Sequence, residues 1–373
     1  MLPVFGTSQE YSGPLLFDSR SIRYKSPFGG ISTRRTVHIL FPVAAYLNSV
    51  SVALFLRRND HTTKYLLSRV DKTHGYVNYE TEFTVERAGT YYYRFEIYHE
   101  DGGVSYVGND GNGKAIIGEW LPEWQLSVYQ NSYSTPDSFK GGVVYHIFCD
   151  RFFHAGEDKK PRYGVTKAWN EEVTIEDADG VFRANDFYGG DFKGIIEKLD
   201  YLYELGVTDI YLSPIFESSS NHRYDTGDYM KVDGLLGSEK DFEELIKKAD
   251  EKGIGIILDG VFNHTGADSI YFNKFGHYDS VGAYQSKSSP YYDWYTFYDY
   301  PDDYNCWWGC TVVPTVARDA KDFHEFIAGE EGVIKKWTDK GVKGWRLDVV
   351  DELSETFVKE LRRRRKKGNP DVT

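Results

Sequence analysis

The sequence predicts a two-domain protein, an all-β sandwich followed by a parallel α/β domain. Three observations predict it. The chain has 373 residues, too many for one ordinary domain. Its first third is a series of short β-branched and aromatic runs. From Val143 the rhythm changes to strand, loop and helix.

The first runs are "RTVHILFPV", "SVSVALFLRR" and "YETEFTVERAGTYYYRFEIYHEDGGVSYVG". Local alternation marks them as strands, and "RND", "RAG" and "EDGG" supply turns between them. That spacing predicts a sandwich over residues 1–125. "YQNSYSTPDSFKGG" is polar and places a linker at 126–142.

The second domain is predicted over 143–373. "VVYHIF" is a continuous apolar run. "DFKGIIEKLDYLYELG" spaces Phe192, Ile195, Ile196, Leu199, Leu202 and Leu205 as a helix ending at Gly206. "VTDIYLSPI" is the next strand. "SEKDFEELIKKADEKG" is a helix with Ser238 as N-cap and Gly253 as its stop. "IGIILDGVF" is a third buried strand, followed by the excursion "NHTGADSIYF…CWWGCTVV". "DFHEFIAGEEGVIKKWTDKG" is helical, "VKGWRLDVV" is a fourth strand, and "ELSETFVKELRRRRKKG" is a last helix. Apolar strands alternating with helices imply a parallel sheet covered by helices. Barrels and doubly wound sheets both carry function at the C-terminal strand ends. No glycine-rich phosphate loop follows the first strand, against a nucleotide-binding version, and no organic cofactor is expected.

Composition narrows the partners. A net charge of -13 and a pI near 5.3 argue against nucleic acid and anionic membrane, and favour a neutral or cationic substrate. No apolar run approaches the ~18 residues of a membrane span. "MLPVFGTSQE" lacks a basic region followed by an apolar one, so the reading is a cytoplasmic protein. Cys149, Cys306 and Cys310 cannot all pair within one chain, which also favours a reducing compartment. Aromatic residues reach 16%, including 30 Tyr and 8 Trp. Most serve cores, but such faces also stack on the C–H faces of sugar rings.

Three strand ends bring chemistry to one mouth. The second leads into "SPIFESSSNHRYDTGDY". The third ends in "LDGVFNH", with Asp259, Asn263 and His264. The fourth ends in "WRLDVVDE", with Arg346, Asp348, Asp351 and Glu352. Arg346 and Asp348 lie two apart on a strand and share a face. Arg346 is expected to keep Asp348 ionised, and an ionised carboxylate in a sugar cleft can attack an anomeric carbon. Each feature alone is more often structural; the ordered combination is rare.

These segments resemble the α-amylase family, glycoside hydrolase family 13. "DGVFNH" and "GWRLDVVDE" match its first and second signatures. "SPIFESSSNHRYDTGDY" and "FYGGDFKGI" are similar to its neopullulanase, cyclomaltodextrinase and maltogenic amylase branch. The resemblance implies a multidomain protein. An N-terminal all-β immunoglobulin-like sandwich, resembling a carbohydrate-binding module, precedes the first half of a (β/α)8 TIM barrel with a loop insertion after the third strand. It implies Asp348 as nucleophile and Arg346 as the residue that orients it. His264, Tyr224, Asp259, Asn263 and Glu352 become substrate-binding or supporting residues. Gly189 and Asp191 become part of a calcium site. The corresponding loop here, "HAGEDKK", offers His154, Lys159 and Lys160, which are poor ligands, with Glu157 and Asp158 as substitutes. "VPTVARD" departs from another family signature.

Implied partners are α-glucan oligosaccharides, with a homodimer through the N-terminal domain. The implied reaction is retaining hydrolysis of α-1,4-glucosidic bonds in maltodextrin, cyclodextrin or starch. Retention needs a second carboxyl about 5 Å from the nucleophile. In the family that acid is a Glu after the fifth strand, whereas this sequence carries four strands and ends "NPDVT". Glu352, Glu355 and Glu360 do not match it. The expectation is a truncated chain that hydrolyses starch poorly or not at all. A non-catalytic glucan-binding fragment, and a transglycosylase or isomerase on the same scaffold, remain open.

Overall fold

The computed structural model describes residues 13–174 and 184–368, and these fall into two compact units, 1–134 and 135–373. In the first unit, alternation decides which side of each strand is buried. Val37, Ile39, Phe41 and Val43 point inward from Val37–Ala44; Tyr91, Tyr93, Phe95 and Ile97 do so from Gly89–His99. The pairing is antiparallel except where Trp124–Tyr129 runs parallel to Ile31–Ser32. The long strand His61–Thr73 joins both halves of the sheet. It pairs with Ser49–Arg58 at its start and with Tyr76–Phe83 at its end, across an irregularity between Arg69 and Lys72. The core is aromatic: Phe41 and Phe95 lie 4.2 Å apart, and Trp124 stacks on Tyr93 at 5.4 Å. Trp124–Tyr129 extends the β domain past residue 125, into the stretch expected as linker.

The second unit is built on four parallel strands, β1 (Val144–Ile147), β2 (Asp209–Leu212), β3 (Gly255–Gly260) and β4 (Gly344–Leu347), in that spatial order. All four were legible as apolar runs. Every residue of β3 is buried, as a central parallel strand requires. β1 and β4 are the edges and are more open.

The helix between β1 and β2 differs from expectation. It breaks at Lys198 (φ −97°, ψ 3°) into α1 (Phe192–Glu197) and α2 (Leu199–Glu204). α3 (Glu239–Asp250) begins as predicted. Ser238 Oγ accepts from Asp241 N–H at 3.2 Å, and the Asp241 carboxylate accepts from Ser238 N–H at 2.7 Å. It buries Phe242 against Phe192, rings 5.3 Å apart. The segment before β4 also splits, into α4 (Lys321–Ala328) and α5 (Val333–Asp339), because Gly329 and Gly332 interrupt it. α6 (Glu355–Gly368) follows β4. Residues 261–320 lie between β3 and α4 and contain only short pieces of regular structure, including the pair Phe297–Asp299 and Asp303–Tyr304. Among the described residues, no helix is long and apolar enough to cross a membrane.

Candidate active site at the strand ends

The parallel register sets up the site. His146 pairs with Tyr211, and Asp259 with Arg346, across adjacent strands. The imidazole of His146 stacks on the Tyr211 ring at 4.6 Å and lies 2.9 Å from Ser213 Oγ. Tyr211 then donates its hydroxyl to Asp259 Oδ2. Tyr224, on the loop after β2, donates to the same oxygen at 2.9 Å. Arg346 Nη1 donates to Asp259 Oδ1 at 3.0 Å and to Asp348 Oδ1 at 2.5 Å.

Asp259 is therefore the hub. Its side chain is fully buried, whereas those of Arg346 and Asp348 are 42% and 16% exposed. Burial pushes the Asp259 carboxyl up, and the Tyr211, Arg346 and Tyr224 bonds oppose that push. Burial, then the Asp259 charge, pushes the Tyr224 hydroxyl up to about 12, so it stays a donor. The guanidinium expected to serve Asp348 is shared, and its buried partner is Asp259. Among the described residues, the hydrogen bond to the Asp348 carboxylate is the one from Arg346 to Oδ1. Val349, directly after Asp348, has φ +40°, strained for a β-branched residue.

The loop after β3 is fixed from beneath. The Tyr229 hydroxyl donates to the Val261 carbonyl at 2.5 Å and the His264 carbonyl at 3.0 Å. Trp337 Nε1 in turn donates to the Tyr229 carbonyl at 2.9 Å. His264 is buried, and burial lowers its basicity more than the nearby Asp348, Asp225 and Glu352 charges raise it. A neutral imidazole results, facing Trp307 at 5.5 Å. Asn263 Nδ2 donates to Glu352 Oε2 at 3.0 Å. Glu352 Oε1 accepts from the indoles of Trp307 (3.3 Å) and Trp308 (3.2 Å). Both Glu352 oxygens are thus engaged within the protein, in a positioning rather than a substrate-contacting arrangement.

The structure brings Asp348, Arg346, Asp259, Tyr224, His264, Asn263 and Glu352 into one cluster. Gly189 and Asp191 belong elsewhere. Asp191 caps α1: its Oδ1 accepts from Gly194 N–H at 2.7 Å and its Oδ2 from Gly156 N–H at 2.7 Å. The Gly189 carbonyl lies 2.6 Å from His154 Nδ1, whose ring also reaches Asp191 at 3.4 Å and Asp158 at 3.3 Å. The oxygens a calcium ion would need already serve N–H groups, and an imidazole fills the space between them. Among the described residues, no group of three His, Cys, Asp or Glu could hold a metal. These residues do not fit calcium. The glycines of "YGGD" have a backbone reason instead. Gly189 has φ +80°, and a Cβ on Gly190 would meet the Cys149 carbonyl at 2.1 Å.

Sequence reasoning missed Tyr211, His146, Trp307 and Trp308. Tyr211 is the aromatic residue with a polar tip in "DIYL". The tryptophans stand in "CWWGC", where nothing in the spacing separates a site residue from packing. Cys149, Cys306 and Cys310 are free thiols; burial pushes Cys149 up to about 12, so it is inert.

Residues 136–314 match the family model "Alpha amylase, catalytic domain". An amylopullulanase of Thermoanaerobacterium saccharolyticum is 34% identical over 93% of this chain and 30% of its own length. Neopullulanase 2 of Thermoactinomyces vulgaris is 35% identical over 64% of this chain and 39% of its own. Among solved structures, the type III pullulan hydrolase from Thermococcus kodakarensis superposes with a TM-score of 0.58 at 26% identity, covering 96% of this chain and 60% of that one. The chain spans less than a third of the length of the amylopullulanases it matches.

Proposed function

We infer that this chain, which belongs to the α-amylase family through residues 136–314, binds α-glucan oligosaccharides across the mouth formed by Asp348, Arg346, Asp259, Tyr224 and His264. The observation that carries this is Arg346 bridging Asp259 and Asp348. One carboxylate is locked by three donors, and the other is held by Arg346 through Oδ1. Asp348 is the nucleophile in this reading. Its Oδ2 attacks the anomeric carbon and forms a glycosyl ester as the glycosidic C–O bond breaks. Arg346 holds Oδ1 and orients the carboxylate. The Tyr224 ring supports the sugar while its hydroxyl stays on Asp259. Neutral His264 offers a hydrogen bond to a sugar hydroxyl.

The leaving oxygen requires a proton from a second carboxyl. Asp259 and Glu352 are the other carboxylates of the cluster, and both have their oxygens hydrogen-bonded within the protein. We therefore propose that this cluster binds glucan and, with no free carboxyl beside Asp348 among its members, turns it over poorly. Calorimetric titration with maltoheptaose, alongside a reducing-sugar assay, tests both parts. Binding without turnover supports them. No binding sinks the site assignment, and turnover abolished by Asp348→Asn sinks the inactivity alone.

A further inference from the structure

The segment "CWWGC" (306–310) has no part in the reaction described above. Its loop is tightly closed on itself: Trp307 N–H donates to the Val313 carbonyl, Cys310 N–H to the Trp307 carbonyl, and Cys306 bridges to Pro314. This closure stacks two indoles on one another, centroids 5.4 Å apart and 28° from parallel. Trp307 is half-buried and faces His264. Trp308 is 85% exposed, on a backbone with φ +51° and ψ +32°. Its large apolar ring is held in water on a backbone that L residues rarely adopt. Core packing explains neither feature.

The ring is also aimed. Glu352 Oε1 takes both indole N–H groups, while its Oε2 takes Asn263, the neighbour of His264. One carboxylate therefore fixes the indole pair to the residues of the sugar mouth. The result is a ledge of three rings, His264, Trp307 and Trp308, running from the buried site to solvent. With the indole N–H groups turned down to Glu352, an apolar face is left outward.

We propose that Trp308 is the stacking platform of an outer subsite, taking a glucosyl unit of a longer α-glucan beyond the units held at His264. Glucose fits this face because its C–H groups lie flat against an indole while its hydroxyls remain in water. The neighbouring acidic Glu352 disfavours an anionic ligand. Trp308 thus sets preference for chain length without touching the reacting atoms. This deepens the α-glucan reading and rests on it.

The test is calorimetric titration of the full chain and of two variants with maltotriose and maltoheptaose. Trp308→Gly suits the left-handed backbone and keeps the loop; Trp308→Tyr keeps a ring. The expected result is that Trp308→Gly weakens maltoheptaose roughly five- to tenfold and leaves maltotriose unchanged, with Trp308→Tyr in between. Equal affinity of Trp308→Gly and the parent for maltoheptaose overturns the platform while the glucan reading stands. No binding of either sugar by the parent overturns both. A change in sedimentation on substitution, with sugar affinity intact, identifies Trp308 as a contact between copies of the chain and also overturns the platform.

Discussion

The Tyr224 hydroxyl donates to Oδ2 of Asp259 at 2.9 Å, tying the loop after β2 to the end of β3. With Tyr211 on the same oxygen and Arg346 on the other, Asp259 is a buried charge whose partners are all hydrogen-bonded. Asp348 meets the same guanidinium from a more open position. The two carboxylates should respond differently to the same change. Asp259→Asn replaces an acceptor with a donor among three donors and should lower unfolding stability by about 2–3 kcal/mol. Asp348→Asn breaks a pair to a partly exposed Arg and should stay within about 1 kcal/mol of the parent. Urea unfolding of both variants decides it. Equal losses would mean that Asp259 is not the structural hub.

The histidines set an acid limit on stability. Burial lowers the basicity of His264, His222 and His324 below the ordinary histidine value. A base depressed in the folded state is neutral there while the unfolded chain takes up protons. Stability is therefore fully present above the ordinary value, near pH 6.5, and falls as pH drops below it. Asp259, raised by burial, acts in the opposite sense, but only in the lower range where an ordinary carboxylate is ionised and the buried one is not. Between about pH 7 and 5.5 the histidine effect should dominate. The urea midpoint should drop across that interval, and His264→Asn should flatten the drop. An unchanged slope in the variant would show that His264 takes up its proton as readily in the folded protein as in the unfolded chain.

Trp337 is fully buried, packs beside Phe216 and Phe242, and holds Tyr229 through its indole N–H. Trp337→Ala should cost about 3–5 kcal/mol, the usual range for emptying such a position. It should also loosen the loop that Tyr229 anchors, so sugar affinity should fall with stability. Trp337→Phe keeps most of the volume and loses the N–H. If it binds sugar as the parent does, the Tyr229 anchor is irrelevant to the site.

Much of this was legible in the chain because parallel strands announce themselves as apolar runs. "IGIILDGVF" is buried throughout, and the polar residues closing such a run have only the strand end to occupy. That logic found Asp259, His264 and Asp348. It missed Tyr211 because a tyrosine inside a strand reads as packing until its hydroxyl is seen on Asp259. Helix breaks were also hidden. Periodicity continues through Lys198, where the backbone turns, and through Gly329 and Gly332, which two apolar faces straddle. The partner of Arg346 could not be read from spacing. Asp348 is two residues away in sequence, whereas Asp259 comes alongside only through the β3–β4 register.

The loop carrying Gly189 and Asp191 gives the last prediction. The family resemblance implied calcium there, but the imidazole of His154 lies among the oxygens that would bind it. Asp191 is committed to the backbone of α1 and of Gly156. A calcium site with a micromolar dissociation constant would add about 4 kcal/mol of stability at millimolar calcium, a shift of several degrees in melting temperature. Neither 1 mM calcium nor excess EDTA should move the melting temperature of this chain, on the scale of that expected shift. His154→Ala should lower it by removing the ring that bridges Gly189, Asp191 and Asp158, and calcium should not restore it. A calcium-dependent rise in the parent would show that the imidazole can swing aside and that the oxygens re-form as a cation site. A rise confined to His154→Ala would show that the histidine, rather than Asp191's capping bonds, is what keeps the ion out.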